Sequence, residues 1–235
     1  MIAEAMEKFK DMIQPSHIEI DGKNYRLSGY RPVDDGNPES LGTCTLTSIV
    51  DYFNHSIDKL NTKKIYIHAA SHGRVSLNGF VEGPFKIRPI FVESLALTNS
   101  FVFGNRYNYE QFIIALYSQF KPTEDRDYIA NLISNLTSEA SKTLKDNGMT
   151  QNVHAKAGIS MKEEVQVKNP VKLRPFRTFP EIEQPESEFV FRMEQSGDSI
   201  VFSLHECDGS AWKLEAIQSI RAYFKDKLPD VPVIA

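Results

Sequence analysis

Four cations, Lys168, Lys172, Arg174 and Arg177, are interleaved with Phe176 and Phe179 in a run of twelve residues. Cations hold phosphates and aromatic rings stack on bases, so this mixture has the composition of a single-stranded nucleic-acid contact. Lys168, Lys172, Arg174, Phe176 and Arg177 are the residues that would make it. The blander reading is an edge strand with a charged outer face, neutralised by the glutamates that follow at 181, 183, 186 and 188. The second reading is favoured, and polynucleotide contact is kept as the alternative.

Other chemistry-bearing residues give less. His68 and His72 are four apart, a metal-ligand spacing on a helix, but His68 falls in an alternating strand pattern and His72 beside Gly73 in a turn. No nearby carboxylate or thiol completes a site, so no metal is expected. Glu163-Glu164 and the later glutamates read as solvated faces. Cys207 lies two residues from His205 with no third orienting group, which does not make a nucleophile. There is no Walker loop and no GxGxxG, so no catalytic residue and no cofactor is nominated. Trp212, the single tryptophan, follows Asp208-Gly209-Ser210-Ala211 and reads first as core. Its alternative role is as an anchor for a ligand or subunit, and with Phe9 it forms the candidate interface pair.

The elements that must position these residues are legible from periodicity. Ile2, Met6, Phe9 and Ile13 are spaced for a short amphipathic helix. Ile18 to Leu27 alternates around Asp21-Gly22, a hairpin signal. Thr45 can cap a helix with Leu46, Ile49, Val50, Phe53, Ile57 and Leu60 on one face. Ile65, Ile67 and Ala69 alternate as a strand, and Val75, Leu77, Phe85, Ile87, Ile90 and Val92 suggest more. Asn108 and Gln111 have capping-box spacing ahead of a helix carrying Phe112, Ile113, Leu116, Tyr117 and Phe120. A second helix is expected from about Asp125 to Asn147.

In the last third, Val165, Val167, Val171 and Leu173 alternate with polar residues as a half-buried strand. Pro170 lacks a backbone donor, so that strand belongs at an edge or is broken. Phe189, Phe191 and Met193, then Ile200, Phe202 and Leu204, face inward in a hairpin turning at Gly197-Asp198. A closing helix begins near Ser210, with Asp208 and Ser210 as capping oxygens. The expected fold is α+β: antiparallel sheets packed on a central helical hairpin and closed by a C-terminal amphipathic helix. One domain, 1–235, is expected, with a possible subdivision into 1–104 and 105–235.

At 235 residues, with 41% apolar and 25% charged side chains and a formal net charge of −4, the chain can bury a full core. Its overall charge gives no general pull toward nucleic acid or anionic membrane. No apolar run approaches the roughly 18–20 residues that span a bilayer, and no signal-peptide layout is present. A cytoplasmic protein is expected, with Cys44 and Cys207 as reduced thiols.

Four local signatures carry a resemblance: Tyr109-Glu110-Gln111-Phe112, Thr178-Phe179-Pro180-Glu181-Ile182, Phe189-Val190-Phe191-Arg192 and Leu214-Glu215-Ala216-Ile217. With these in this order, the chain from about Ile49 onward resembles the YfdQ-like family of phage and prophage proteins, a family of unknown function. It departs from that pattern at 195–213, where a hairpin runs straight into the Trp212 helix. The resemblance implies an early-region phage accessory product in the host cytoplasm and assigns no residue a role. The expected function is binding without catalysis, as a homo-oligomer joined through strand edges and terminal helices. A host protein or a small-molecule ligand is the further partner considered. The alternatives are a single-stranded nucleic-acid-associated recombination or replication factor and an inhibitor of bacterial antiphage defence.

Overall fold

Two apolar cores organise the chain, and the sequence passes back and forth between them. The computed structural model describes residues 3–5, 17–20, 23–26, 39–81, 86–98, 101–136, 145–146, 151–157, 161–197 and 199–235. Residues 3–5 are helical; Phe9 and the rest of the expected N-terminal helix lie outside the described residues. So do Phe85, Asp198 and the side chains of Glu163 and Glu164.

Strands β1 (His17–Ile20) and β2 (Lys23–Arg26) pair antiparallel with Ile20 opposite Lys23, the hairpin expected around Asp21-Gly22. After β3 (Leu41–Thr43), helix α1 (Leu46–Asn54) starts where Thr45 Oγ1 accepts a hydrogen bond from Ser48 N at 3.3 Å. That bond satisfies one of the free N–H groups of the first turn. Leu46, Ile49, Val50 and Tyr52 face the core. The helix is shorter than expected, because Ser56 takes φ +47 just past its end, and Ile57 is exposed instead of continuing the stripe.

Strands β4 (Ile65–Ser71), β5 (Arg74–Gly79) and β6 (Ile90–Leu95) form an antiparallel meander. Their inward residues, Ile65, Ile67, Ala69, Val75, Leu77 and Val92, pack under α1 in the first core. A Cβ on Gly79 would stand 2.7 Å from Pro89 Cγ, so only glycine allows this close approach.

Helix α2 (Tyr109–Gln119) opens with the expected capping box: Gln111 N donates to Asn108 Oδ1 at 2.9 Å, and Asn108 N to Gln111 Oε1 at 3.4 Å. Helix α3 (Glu124–Ser134) is capped by Thr123 and ends far short of Asn147. Asn135 forms its C-cap, and Lys145–Asp146 is a strand, β7, paired with β8 (Gln151–Ala157). Ser134-Asn135 and Thr137-Ser138 are weak helix formers whose side chains compete for backbone hydrogen bonds.

The strand expected through Val165 and Leu173 is broken in two. Strand β9 (Met161–Gln166) pairs with β8, whereas β10 (Val171–Leu173) is the edge of another sheet, with a cis Asn169-Pro170 bond between them. In that other sheet, β10, β11 (Ser187–Ser196) and β12 (Ser199–Glu206) lie in sequence order. Phe191 stands opposite Leu204 and Met193 opposite Phe202, as the hairpin pattern requires. The inward face packs on α2 and α3, with the Phe112 ring 5.7 Å from Phe191 and 5.5 Å from Phe202. Burial of each such ring contributes roughly 2 kcal/mol.

The outer side of β11 beyond β10 is completed by side chains. Asn169 Nδ2 donates to Phe191 O at 3.0 Å, and Asn169 Oδ1 accepts from Phe191 N at 2.8 Å. The buried Gln151 amide repeats this at Met193, donating at 2.9 Å and accepting at 3.0 Å. Two amides thus stand in for a missing strand and leave no open ladder there.

Helix α4 (Trp212–Lys227) lacks the expected side-chain cap; Asp208 Oδ1 instead accepts from Ser210 N at 3.0 Å. Trp212, Ala216, Ile220 and Phe224 pack into the first core, against β4 and the final strand β13 (Val233–Ile234). The C-terminal helix therefore closes the N-terminal sheet and not the sheet under the helical hairpin. The complete first sheet runs β13-β4-β5-β6-β3, and its two outer strands pair in parallel. The class is α+β as expected, with one mixed sheet where antiparallel pairing was expected. No helix among the described residues is long and apolar enough to cross a membrane.

Candidate functional site

The basic run is paired with carboxylates along its length. Lys168 Nζ lies 2.5 Å from Asp125 Oδ1, Lys172 Nζ 4.0 Å from Glu186, and Arg174 Nη1 2.8 Å from Glu183 with Nε 3.4 Å from Glu186. Asp125 also accepts from Lys172 N at 2.7 Å. Burial alone would raise the Asp125 carboxyl, but the Lys168 ammonium and the Lys172 N–H outweigh it and hold the pKa below the ordinary value. Glu183 is likewise held low, first by Lys121 and then by Arg174. Phe176 is part-exposed, with its N–H given to Gln119 O at 2.9 Å, while Phe179 is core. A row of compensated cations is a weak phosphate cradle.

Arg177 belongs to a different environment altogether. It is 8% exposed, and its guanidinium bonds Glu206 Oε1 at 2.7 Å, Ser187 Oγ and Pro185 O. Its carbon lies 3.8 Å from the Trp212 ring centroid. Burial is the main influence on it, pushing its pKa down to about 10 against the pull of Glu206 and Asp208. It remains charged at neutral pH and is unavailable to phosphate. Trp212, nominated as an interface anchor, is 6% exposed and packs in its own chain, with the His72 ring against it at 4.6 Å.

Above this cluster lies a cavity of about 220 Å³. Ser187, Asp208 and Trp212 line it, and Ser187 Oγ donates to Asp208 Oδ2. Glu186, Glu188 and Glu215 bring further carboxylates and Lys172 the one cation. Sequence reading missed this grouping because it draws on β10, β11, the turn after β12 and the first turn of α4. Only the common solvated-face reading was open to each glutamate taken alone.

The second feature missed is on α2. Ile114 and Tyr117, three residues apart on its outward face, are 59% and 54% exposed, and Tyr109 in the first turn is exposed as well. Tyr117 was expected on the buried stripe; instead Arg126 lies over its ring at 5.0 Å. Ile114 also borders a cavity of about 380 Å³ with Arg106, Tyr107 and Gln119, whose Oε1 is buried with no partner.

His68 is exposed on β4 and His72 sits in the β4–β5 turn, and among the described residues no group of His, Cys, Asp and Glu could hold a metal ion. Cys44 and Cys207 are free and exposed. Burial, Glu188 and Asp208 push the Cys207 thiol upward, away from a reactive thiolate. Comparison of the chain with protein-family models, with curated proteins and with solved structures finds no match.

Proposed function

We propose that the chain is a phage-encoded accessory protein that acts by binding in the host cytoplasm, as a homo-oligomer joined through the outward face of α2. The observation that carries this reading is the pair Ile114 and Tyr117, large side chains left more than half exposed on one helix face, with Ile114 at the edge of a cavity. Contiguous exposed apolar surface marks contact sites more often than isolated residues do. The elements first expected to join subunits fit less well. The outer strands of the first sheet are only three and two residues long, β12 is met by Tyr107, and α4 turns its apolar ridge inward.

The phage setting rests on the resemblance to YfdQ-like proteins described above. Static light scattering with an α2 variant tests the assembly. Sequestration of a small molecule, as an inhibitor of bacterial antiphage defence would need, is a second reading, favoured by the acid-lined cavity at Trp212. A nucleic-acid role loses support from the compensation of Lys168, Lys172, Arg174 and Arg177.

A further inference from the structure

The outward face of α2 is its own complement when reversed. Ile114 and Tyr117 stand at its middle; four residues before Ile114 is Glu110, and four residues after Tyr117 is Lys121. At 3.6 residues per turn, Glu110, Ile114 and Tyr117 fall within an arc of about 60° on the helix. All three are exposed. Lys121 follows two residues past the last helical residue, Gln119, beyond the extended C-cap Phe120. The order is acid, aliphatic, aromatic, base, and its spacing alternates four and three residues as in a helix-pairing seam.

The groups along this face are free to meet a partner. Arg106, which precedes the helix, is engaged by Glu194 at 2.5 Å and not by Glu110. Lys121 Nζ lies 3.2 Å from Glu183, but Arg174 Nη1 also holds that carboxylate, at 2.8 Å. Glu183 therefore keeps a cation when the Lys121 ammonium turns outward. Arg126 lies 5.0 Å from the Tyr117 ring centroid and is itself neutralised by Asp127 at 2.8 Å. A ring steadied in this way loses little freedom on binding.

We infer that the partner of this face is the same face of a second copy, lying antiparallel about a two-fold axis that passes between Ile114 and Tyr117. In that register Ile114 packs on the partner's Tyr117, and Glu110 meets the partner's Lys121. Each contact occurs twice, as an isologous interface requires, and the contact closes at two copies. A parallel arrangement would set Glu110 on Glu110 and Lys121 on Lys121, like charges that oppose it. A different protein would have to carry the reversed charge order around its own apolar pair, which this chain already supplies. The pairing presupposes α2 as the joining face and adds which residues meet across it.

Disulfide trapping in the full chain tests the register, in a Cys44→Ser/Cys207→Ser background because both native thiols are exposed. Ile114→Cys and Tyr117→Cys chains, one of them isotope-labelled, are mixed, oxidised in a glutathione buffer and read by mass spectrometry. Facing positions come within the roughly 7 Å between Cα atoms that a disulfide spans, whereas a three-residue offset adds about 4.5 Å along the axis. The mixed 114–117 link is therefore expected in at least about fivefold excess over either self-link. Predominant 114–114 and 117–117 links, or no link, in a chain that light scattering shows to be assembled would overturn the antiparallel pairing alone. A monomeric parent chain overturns the joining role of α2 with it. Glu110→Lys is a second, surface variant: it is expected to raise the dissociation constant about tenfold, and an equimolar mixture with Lys121→Glu to restore it, since both pairs are again opposite in sign. An unchanged constant in Glu110→Lys would overturn the charge pairing that sets the orientation.

Discussion

The guanidinium of Arg177 lies 3.8 Å from the Trp212 ring centroid and 5.9 Å from that of Phe189, so one buried cation links a residue of each core. Glu206 at 2.7 Å, the Ser187 hydroxyl and Pro185 O accept its hydrogen bonds. Removing the side chain leaves Glu206 without its cation and Trp212 without its cover. Arg177→Ala is expected to destabilise the fold by about 3 kcal/mol in urea unfolding. Arg177→Lys should recover only part, because an ammonium lacks the planar fork. A loss below about 1 kcal/mol for the alanine variant, the value of a surface pair, would contradict the joining role.

Gln151 performs backbone work from a side chain, since its amide donates to Met193 O and accepts from Met193 N. Gln151→Ala leaves a buried N–H and C=O of β11 unpaired, at an expected cost of about 2 kcal/mol. Hydrogen exchange at the Met193 amide should accelerate far more than at Phe191, which Asn169 still holds. Equal acceleration at both would show that the two amides act as one unit.

Asp125 makes stability depend on acid pH. Its folded pKa lies below the ordinary aspartate value, so its contribution is complete above about pH 4–5 and is lost as pH falls through the folded pKa. The stability difference between the parent and Asp125→Asn is therefore expected to be constant near neutrality and to shrink below about pH 4. A difference that grows on acidification would reverse the assigned sign.

Single-stranded DNA is expected to associate no more tightly than about 0.1 mM at physiological salt, the weak limit of non-specific binding. Micromolar affinity that falls steeply between low and high salt would mean that the carboxylates facing Lys172 and Arg174 yield to phosphate, reviving the nucleic-acid reading.

What the sequence made legible was local. Thr45, Asn108 and Gln111 cap as their spacing requires, and Phe189, Phe191 and Met193 face Phe202 and Leu204 as alternation requires, because each depends on neighbours a few residues away. The parallel pairing of β13 with β4 and the seating of α4 on the first core depend on partners distant in sequence, for which periodicity carries no signal. The Trp212 cavity was invisible for the same reason. The basic run could be seen but not its meaning, which turned on where Asp125, Glu183 and Glu206 came to lie. Tyr117 misled because an aromatic at helical spacing resembles core whichever way it points.

Self-association through α2 is the central claim, and static light scattering at micromolar concentration tests it most directly. The account predicts a mass that is a multiple of 26.7 kDa for the parent chain, falling to 26.7 kDa in Ile114→Glu/Tyr117→Glu with an unchanged circular dichroism spectrum. A parent chain that scatters as a 26.7 kDa monomer, or an assembly that the double variant leaves intact, would contradict it.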